Sequence, residues 1–145
     1  MKEKMKSIPK ECYEDIGKAK TLVCGENKSK YTIRNKTERH LLKIYVDGCL
    51  ITAGNRCDFA VDVDNKNIYL IELKGNDVRK ACIQLLATYK YFKKNFDYTY
   101  IHCRFVSSKV SVPAIYSYEF KQLLHLTKKN EVSFKYASRY LEDVL

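Results

Sequence analysis

Two alternating strands, a capped helix, a third strand and a second helix predict an α/β protein, a mixed sheet of about four to six strands flanked by helices. Three observations carry this expectation. Asp58 to Asp64 alternates, with Phe59, Val61 and Val63 on one face, and after Asn65-Lys66-Asn67 a second alternating strand runs from Ile68 to Lys74. Gly75-Asn76-Asp77 then ends the strand and caps a helix to about Lys94, whose apolar positions Val78, Ala81, Cys82, Leu85, Tyr89 and Phe92 recur at helical spacing. Finally, Tyr98 to Val106 is rich in aromatic and β-branched residues, as a strand is, and is followed by a helix over Tyr118 to Lys129 and a short strand over Val132 to Tyr136.

The earlier part of the chain reads less sharply. Cys12, Ile16, Ala19 and Val23 are spaced like one face of a short amphipathic helix with a stop at Gly25-Glu26-Asn27, which makes residues 1–30 an N-terminal helical extension. Tyr31 to Asn35 and His40 to Val46 read as strands. Over the second a helix competes, because Asn35 and Glu38 match a capping box. Asp47-Gly48 is a tight turn, and Cys49-Leu50-Ile51 a brief strand.

With 145 residues, 46% hydrophobic and 30% charged, the chain suits a single domain with its own core. No apolar run approaches the roughly 18 residues of a membrane span, and Met1 to Lys20 lacks the continuous apolar segment of a secretory signal, so the expected location is cytoplasmic. The six cysteines, Cys12, Cys24, Cys49, Cys57, Cys82 and Cys103, are scattered and read as buried free thiols; no Cys-x-x-Cys pair suggests zinc.

Charge is unevenly placed. Residues 44–78 hold six acids (Asp47, Asp58, Asp62, Asp64, Glu72, Asp77) against three bases (Arg56, Lys66, Lys74), in a chain of net charge +10. An acidic middle in a basic envelope suits a protein that holds a cation at its centre and a polyanion across its surface. Glu72 and Lys74 are two apart in a strand and share a face, and Asp58 starts the neighbouring strand. Two carboxylates and the backbone carbonyl of Leu73 form an oxygen donor set for Mg²⁺ or Mn²⁺, and a lysine beside them can orient water or stabilise charge on a phosphate. Asp62 and Asp64 read as solvated residues beside the hairpin turn, and His40, His102 and His125 receive no catalytic role.

Cys57-Asp58, the apolar run Ile68-Tyr69-Leu70-Ile71 and Glu72-Leu73-Lys74-Gly75 together resemble the PD-(D/E)xK nuclease superfamily. The set Val46-Asp47-Gly48, Cys57-Asp58, Glu72 to Gly75 and Ala81 to Leu85 is also similar to small bacterial proteins with the same motifs. The resemblance covers roughly residues 44–106. It implies a restriction-endonuclease-like fold, with Asp58 and Glu72 holding the metal, Lys74 acting on water or phosphate, and Gln84 lining the cleft. Cys57 stands where the family name has proline. The extra acid that many members bring is Glu38 if His40 to Val46 is helical, and Asp47 if it is a strand.

The expected function is a Mg²⁺- or Mn²⁺-dependent nuclease acting on phosphodiesters, DNA before RNA, with a homodimer one way to cut both strands. The alternative is a nucleic-acid-binding or protein-interaction module on the same fold without turnover. The nuclease site requires that paired residue numbers across the 58–74 hairpin sum to an even value, so that Asp58 shares a face with Glu72 and Lys74. A three-residue loop achieves this, either Asn65 to Asn67 or Asp64 to Lys66, and the first is expected because it places Asn67 in the left-handed conformation that ends such loops.

Overall fold

The computed structural model describes residues 8–26, 28–74, 77–108 and 117–145, apart from the side chains of Glu26 and Lys74. A 3-10 turn at Lys10–Cys12 leads into β1 (Tyr13–Gly17), β2 (Thr21–Glu26), β3 (Ser29–Arg34), β4 (Leu41–Tyr45), β5 (Phe59–Val63) and β6 (Asn67–Lys74). Then come α1 (Val78–Asn95), β7 (Tyr100–Ser107), α2 (Tyr118–Lys128), β8 (Ser133–Ser138) and β9 (Tyr140–Val144). One sheet has the order β1-β4-β5-β6-β7-β8 and a smaller one the order β2-β3-β9. The large sheet is mixed: β1, β4, β5 and β6 pair antiparallel, and β6, β7 and β8 pair parallel through helical crossovers. The chain is therefore α/β, as its sequence predicts.

Alternation along the central strands sorts their side chains into two cores. Ala60, Ile68, Leu70, Cys103 and Phe105 pack with α1 and α2, while Val61, Val63, Tyr69, Ile71 and Val106 pack with Leu22, Cys24, Tyr31 and Ile33 of the small sheet. Strands buried on both faces read as continuous apolar runs, which is why Ile68 to Ile71 looks as it does. Helix α1 follows its predicted span. Asp77 caps it by accepting the Lys80 N–H at 2.9 Å, and Val78, Ala81, Cys82, Leu85, Tyr89 and Phe92 are buried as their spacing requires. Among the described residues no helix is long and apolar enough to cross a membrane.

The β5–β6 hairpin has the even register. Phe59 pairs with Ile71 and Val63 with Asn67, which leaves Asp64-Asn65-Lys66 as the loop. Asp64 (φ 55°) and Asn65 (φ 56°) take the left-handed conformation, and Lys66 N–H closes the turn on Val63 O at 3.1 Å. Two successive left-handed residues match the twist of the flanking strands, so the loop sits one residue earlier than Asn65 to Asn67 and Asn67 joins the ladder. Asp64 also binds the start of β4: its Oδ1 accepts the His40 N–H at 2.9 Å and its own N–H reaches His40 O at 3.0 Å. Asp62 is not solvated. It is buried and accepts hydrogen bonds from the Tyr98 hydroxyl and the Asn65 N–H, and burial raises its pKa.

Three other expectations change. The predicted helix over residues 9–23 is the 3-10 turn followed by β1 and β2, so residues 1–30 are not a helical extension where they are described. Leu22 and Cys24 are buried while Val23 is 42% exposed, a period of two that was masked by the three- and four-residue spacing of Cys12, Ile16, Ala19 and Val23. Gly25 belongs to the β2–β3 hairpin at φ +95°, where a Cβ would meet Ser29 O at 2.2 Å, and Asn27 lies outside the described residues. Cys49 to Ile51 is a turn with one bridge, Asp47 to Ile51, and not a strand. Finally, Cys12 and Cys49 form a disulfide across 37 residues, leaving Cys24, Cys57, Cys82 and Cys103 as the buried thiols.

A buried polar network joins the two sheets. Arg104 of β7 makes a two-pronged ion pair with Asp143 of β9, at 2.6 and 3.3 Å, and donates to the carbonyls of Cys103 and Ser133. Asp143 also accepts from the Tyr31 hydroxyl at 2.6 Å and from Lys135 at 3.2 Å. Burial opposes its ionisation, but the hydrogen bond and charge of Arg104, helped by Tyr31 and Lys135, outweigh that and hold the carboxyl below its usual range. His102 stacks on Tyr69 and bridges Ser133 Oγ at 2.6 Å and Asn67 Oδ1 at 2.8 Å.

Removing one partner of a buried pair strands the other, so Asp143→Asn should cost about 3–5 kcal/mol in urea unfolding. The pH dependence follows from His102. Burial, then Arg104, lower its pKa from 6.5 to about 4, so the unfolded chain takes up the proton first. Its stabilising contribution is complete above about pH 6.5 and is lost as pH falls towards 4. Urea midpoints of the native protein should drop across that window, and His102→Asn should flatten the drop.

Candidate functional site

Asp58 sits one residue before β5 and is held by backbone bonds from three directions. Its N–H donates to Ile71 O at 3.1 Å, and its carbonyl accepts the N–H groups of Val46 at 3.2 Å and Asp47 at 3.3 Å. Its carboxylate Oδ2 accepts the Leu73 N–H at 2.9 Å, across the gap where β5 has ended and β6 continues. Leu73 is the residue between Glu72 and Lys74, so this one contact joins the Asp58 carboxylate to the Glu-x-Lys segment.

The contact is not a plain continuation of the ladder. Phe59 pairs with Ile71, yet Asp58 also bonds to Ile71, the two-against-one count of a β-bulge. A bulge breaks the strict alternation on which the even-sum argument relies. Alternation along β6, with Leu70 in the helix-side core and Ile71 in the small-sheet core, turns Glu72 towards the helix layer, while burial, with a smaller push from Asp58 and Glu72 respectively, raises the Cys24 and Cys57 thiols. The expectation that Asp58 and Glu72 share a face therefore does not follow from the even register alone, because the bulge falls at Asp58 itself.

Glu72 is fully buried and pairs by backbone register with Phe105 of β7. Lys74 ends β6 in register with Ser107; its side chain lies outside the described residues. Residues 41–45 are a strand, so Glu38 is not on a helix. It is exposed just after a turn, at φ 54°, so the candidate for the extra acid that the resemblance implies is Asp47. Asp47 Oδ1 accepts from Arg56 Nε at 2.7 Å, so its carboxylate is engaged by a cation while its backbone supports Asp58.

Gln84 projects from α1 one turn before Thr88. Its Oε1 is buried with no hydrogen-bond partner among the described residues. Thr88 Oγ1 donates to Gln84 O at 2.7 Å and accepts the buried Cys57 N–H at 2.8 Å, which fixes the lead-in to Asp58 against the helix. Sequence reasoning missed Thr88, although a polar residue in the apolar stripe of α1 is the kind of signal that marks such an anchor.

Among the described residues no three His, Cys, Asp or Glu side chains gather into a metal-binding group. The donors expected from the sequence, the Asp58 and Glu72 carboxylates and the Leu73 carbonyl, are hard oxygens of the kind that Mg²⁺ and Mn²⁺ take, and only two of them are side chains. No family model, no curated protein and no solved structure matches the chain.

Thr88→Val should leave the Cys57 amide buried without an acceptor and cost about 1–3 kcal/mol in urea unfolding. Thr88→Ser should recover most of that loss, and amide exchange at Cys57 should follow the same order.

Proposed function

We propose that the chain is a metal-dependent phosphodiesterase with a restriction-endonuclease-like fold, acting on nucleic acid, DNA before RNA. The observation that carries the proposal is the hydrogen bond from the Leu73 amide to Asp58, which pins a carboxylate beside the Glu72-Leu73-Lys74 segment at the end of the two central strands. The antiparallel pair followed by a helix and a parallel strand supports it, as does the net charge of +10 around an acidic middle.

Asp58, Glu72 and the Leu73 carbonyl would hold Mg²⁺ or Mn²⁺. When bound, the metal supplies a Lewis acid that favours ionisation of water and offsets charge on the phosphate. The Leu73 N–H orients the Asp58 carboxylate and Lys74 supplies an ammonium for the attacking water or the phosphate. Asp47 steadies the Asp58 backbone, and Gln84 brings a buried side-chain oxygen on the helix that anchors the approach to Asp58.

One observation favours a second reading. Glu72 is completely buried, and a carboxylate closed off from solvent suits a structural position in a module that binds nucleic acid or protein without turnover. Incubation with single-stranded, duplex and branched DNA and with RNA separates the two. The first reading predicts cleavage with Mn²⁺ or Mg²⁺ that stops with chelator, and a loss of roughly 100-fold or more in Lys74→Ala at unchanged DNA affinity. Asp58→Asn should lose metal affinity and cleavage while keeping an oxygen for the Leu73 amide. Binding without cleavage in all conditions would establish the module instead, and full activity in Lys74→Ala would remove lysine from the mechanism.

A further inference from the structure

The disulfide is the feature that neither the fold nor the candidate site accounts for. Cys12 ends the 3-10 turn before β1 and is buried, while Cys49 is half-buried in the turn between β4 and β5. That turn is built on Val46: Val46 O accepts the N–H groups of Cys49 at 3.4 Å and Ile51 at 2.9 Å, and Gly48 N–H reaches Ile51 O at 3.1 Å. The same Val46, with Asp47, donates its N–H to the carbonyl of Asp58. The disulfide thus ties the lead-in to β1, where Ile8 and Cys12 enter the helix-side core, to the turn that carries the Asp58 backbone.

We propose that Cys12 and Cys49 are a reversible thiol-exchange site, with cellular thiols or dithiols as its reactants, whose oxidised form holds the 46–51 turn against Asp58. An external thiolate attacks Cys49 Sγ, the more accessible sulfur; the Cys12–Cys49 bond breaks and Cys12 leaves as thiolate, then takes a proton. A second thiol attacks the mixed disulfide and releases Cys49 as a thiol. Overall, one protein disulfide and two external thiols yield two protein thiols and one external disulfide. In the reduced form the turn keeps its local bonds but loses its covalent tie to residues 8–12. Its two bonds to Asp58 then open more often, because the covalent tie no longer limits how far the turn can move from residues 8–12. The effect on cleavage rests on the role proposed above for Asp58; the exchange itself does not.

The test uses the full chain in its oxidised form, treated with dithiothreitol at concentrations that leave the circular dichroism unchanged. Native alkylation with iodoacetamide and peptide mapping should then label Cys12 and Cys49 and leave Cys24, Cys57, Cys82 and Cys103 unlabelled. Amide exchange at Val46, Asp47 and Ile51 should quicken by about tenfold, with the central amides of α1 unchanged. Cys49→Ser should show the fast exchange without reductant; if that variant does not fold, reduced wild-type protein gives the same reading. A disulfide that yields only on global unfolding, or exchange at Val46 and Asp47 that is the same in both redox states, would overturn the proposal. Where the protein cleaves nucleic acid, reduction should lower the rate several-fold. Faster exchange in a protein that cuts nothing in either state supports the thiol site and counts against the nuclease reading alone.

Discussion

The ion pair between Arg104 and Asp143 is the constraint that makes two sheets one structure. Arg104 lies on a central strand of the large sheet, and its side chain points into the layer that the small sheet covers. A guanidinium there needs an acid, and the acid comes from β9, which runs parallel to β3 at the end of the described chain. Tyr31 of β3 and Lys135 of β8 complete the shell around Asp143, so β3, β7, β8 and β9 meet at one carboxylate. A charged pair of this kind often adds no more net stability than apolar packing would, but removing either partner leaves the other charge buried and uncompensated.

With the small sheet in place, β5 and β6 are covered on both faces, and the site proposed above lies where the strands stop pairing. That place is the step from Asp58 to Leu73. Because β5 begins only at Phe59, the Leu73 N–H has no strand partner on that side, and a carboxylate takes it. The same bond that repairs the edge of the sheet sets an acid next to Glu-x-Lys. Thr88 from the helix side and Val46 and Asp47 from the neighbouring turn hold the approach, so the position of Asp58 depends on both layers of packing.

Features that depend on local periodicity were legible in the sequence. Helix α1 carries its cap and its apolar stripe in its own residues, and the alternation of Phe59, Val61 and Val63 against Tyr69, Ile71 and Leu73 was enough to require an even register. Features that depend on distant partners were not. β1 is a strand because β4 lies beside it, and its own spacing suits a helix equally well. β9 contains the charged pair Glu142-Asp143, which looks solvated until Arg104 is brought to it. Asp62 looked like a turn residue because its partner Tyr98 lies 36 residues away, and the disulfide joins cysteines 37 apart with no spacing rule to suggest it. At the site, alternation placed Asp58 opposite Glu72, but the bulge that turns Asp58 towards the Leu73 amide is a backbone event without a residue signature.

A metal site here requires that Asp58, bound to the Leu73 amide, and the buried Glu72 serve one cation. Crystals of the protein soaked in Mn²⁺, with diffraction recorded at the manganese absorption edge, measure this directly. The account predicts one anomalous peak within roughly 2.0–2.3 Å of carboxylate oxygens from Asp58 and Glu72 and of the Leu73 carbonyl oxygen. No peak there at saturating Mn²⁺, with Asp58 still bound to the Leu73 amide and Glu72 still enclosed, would contradict it.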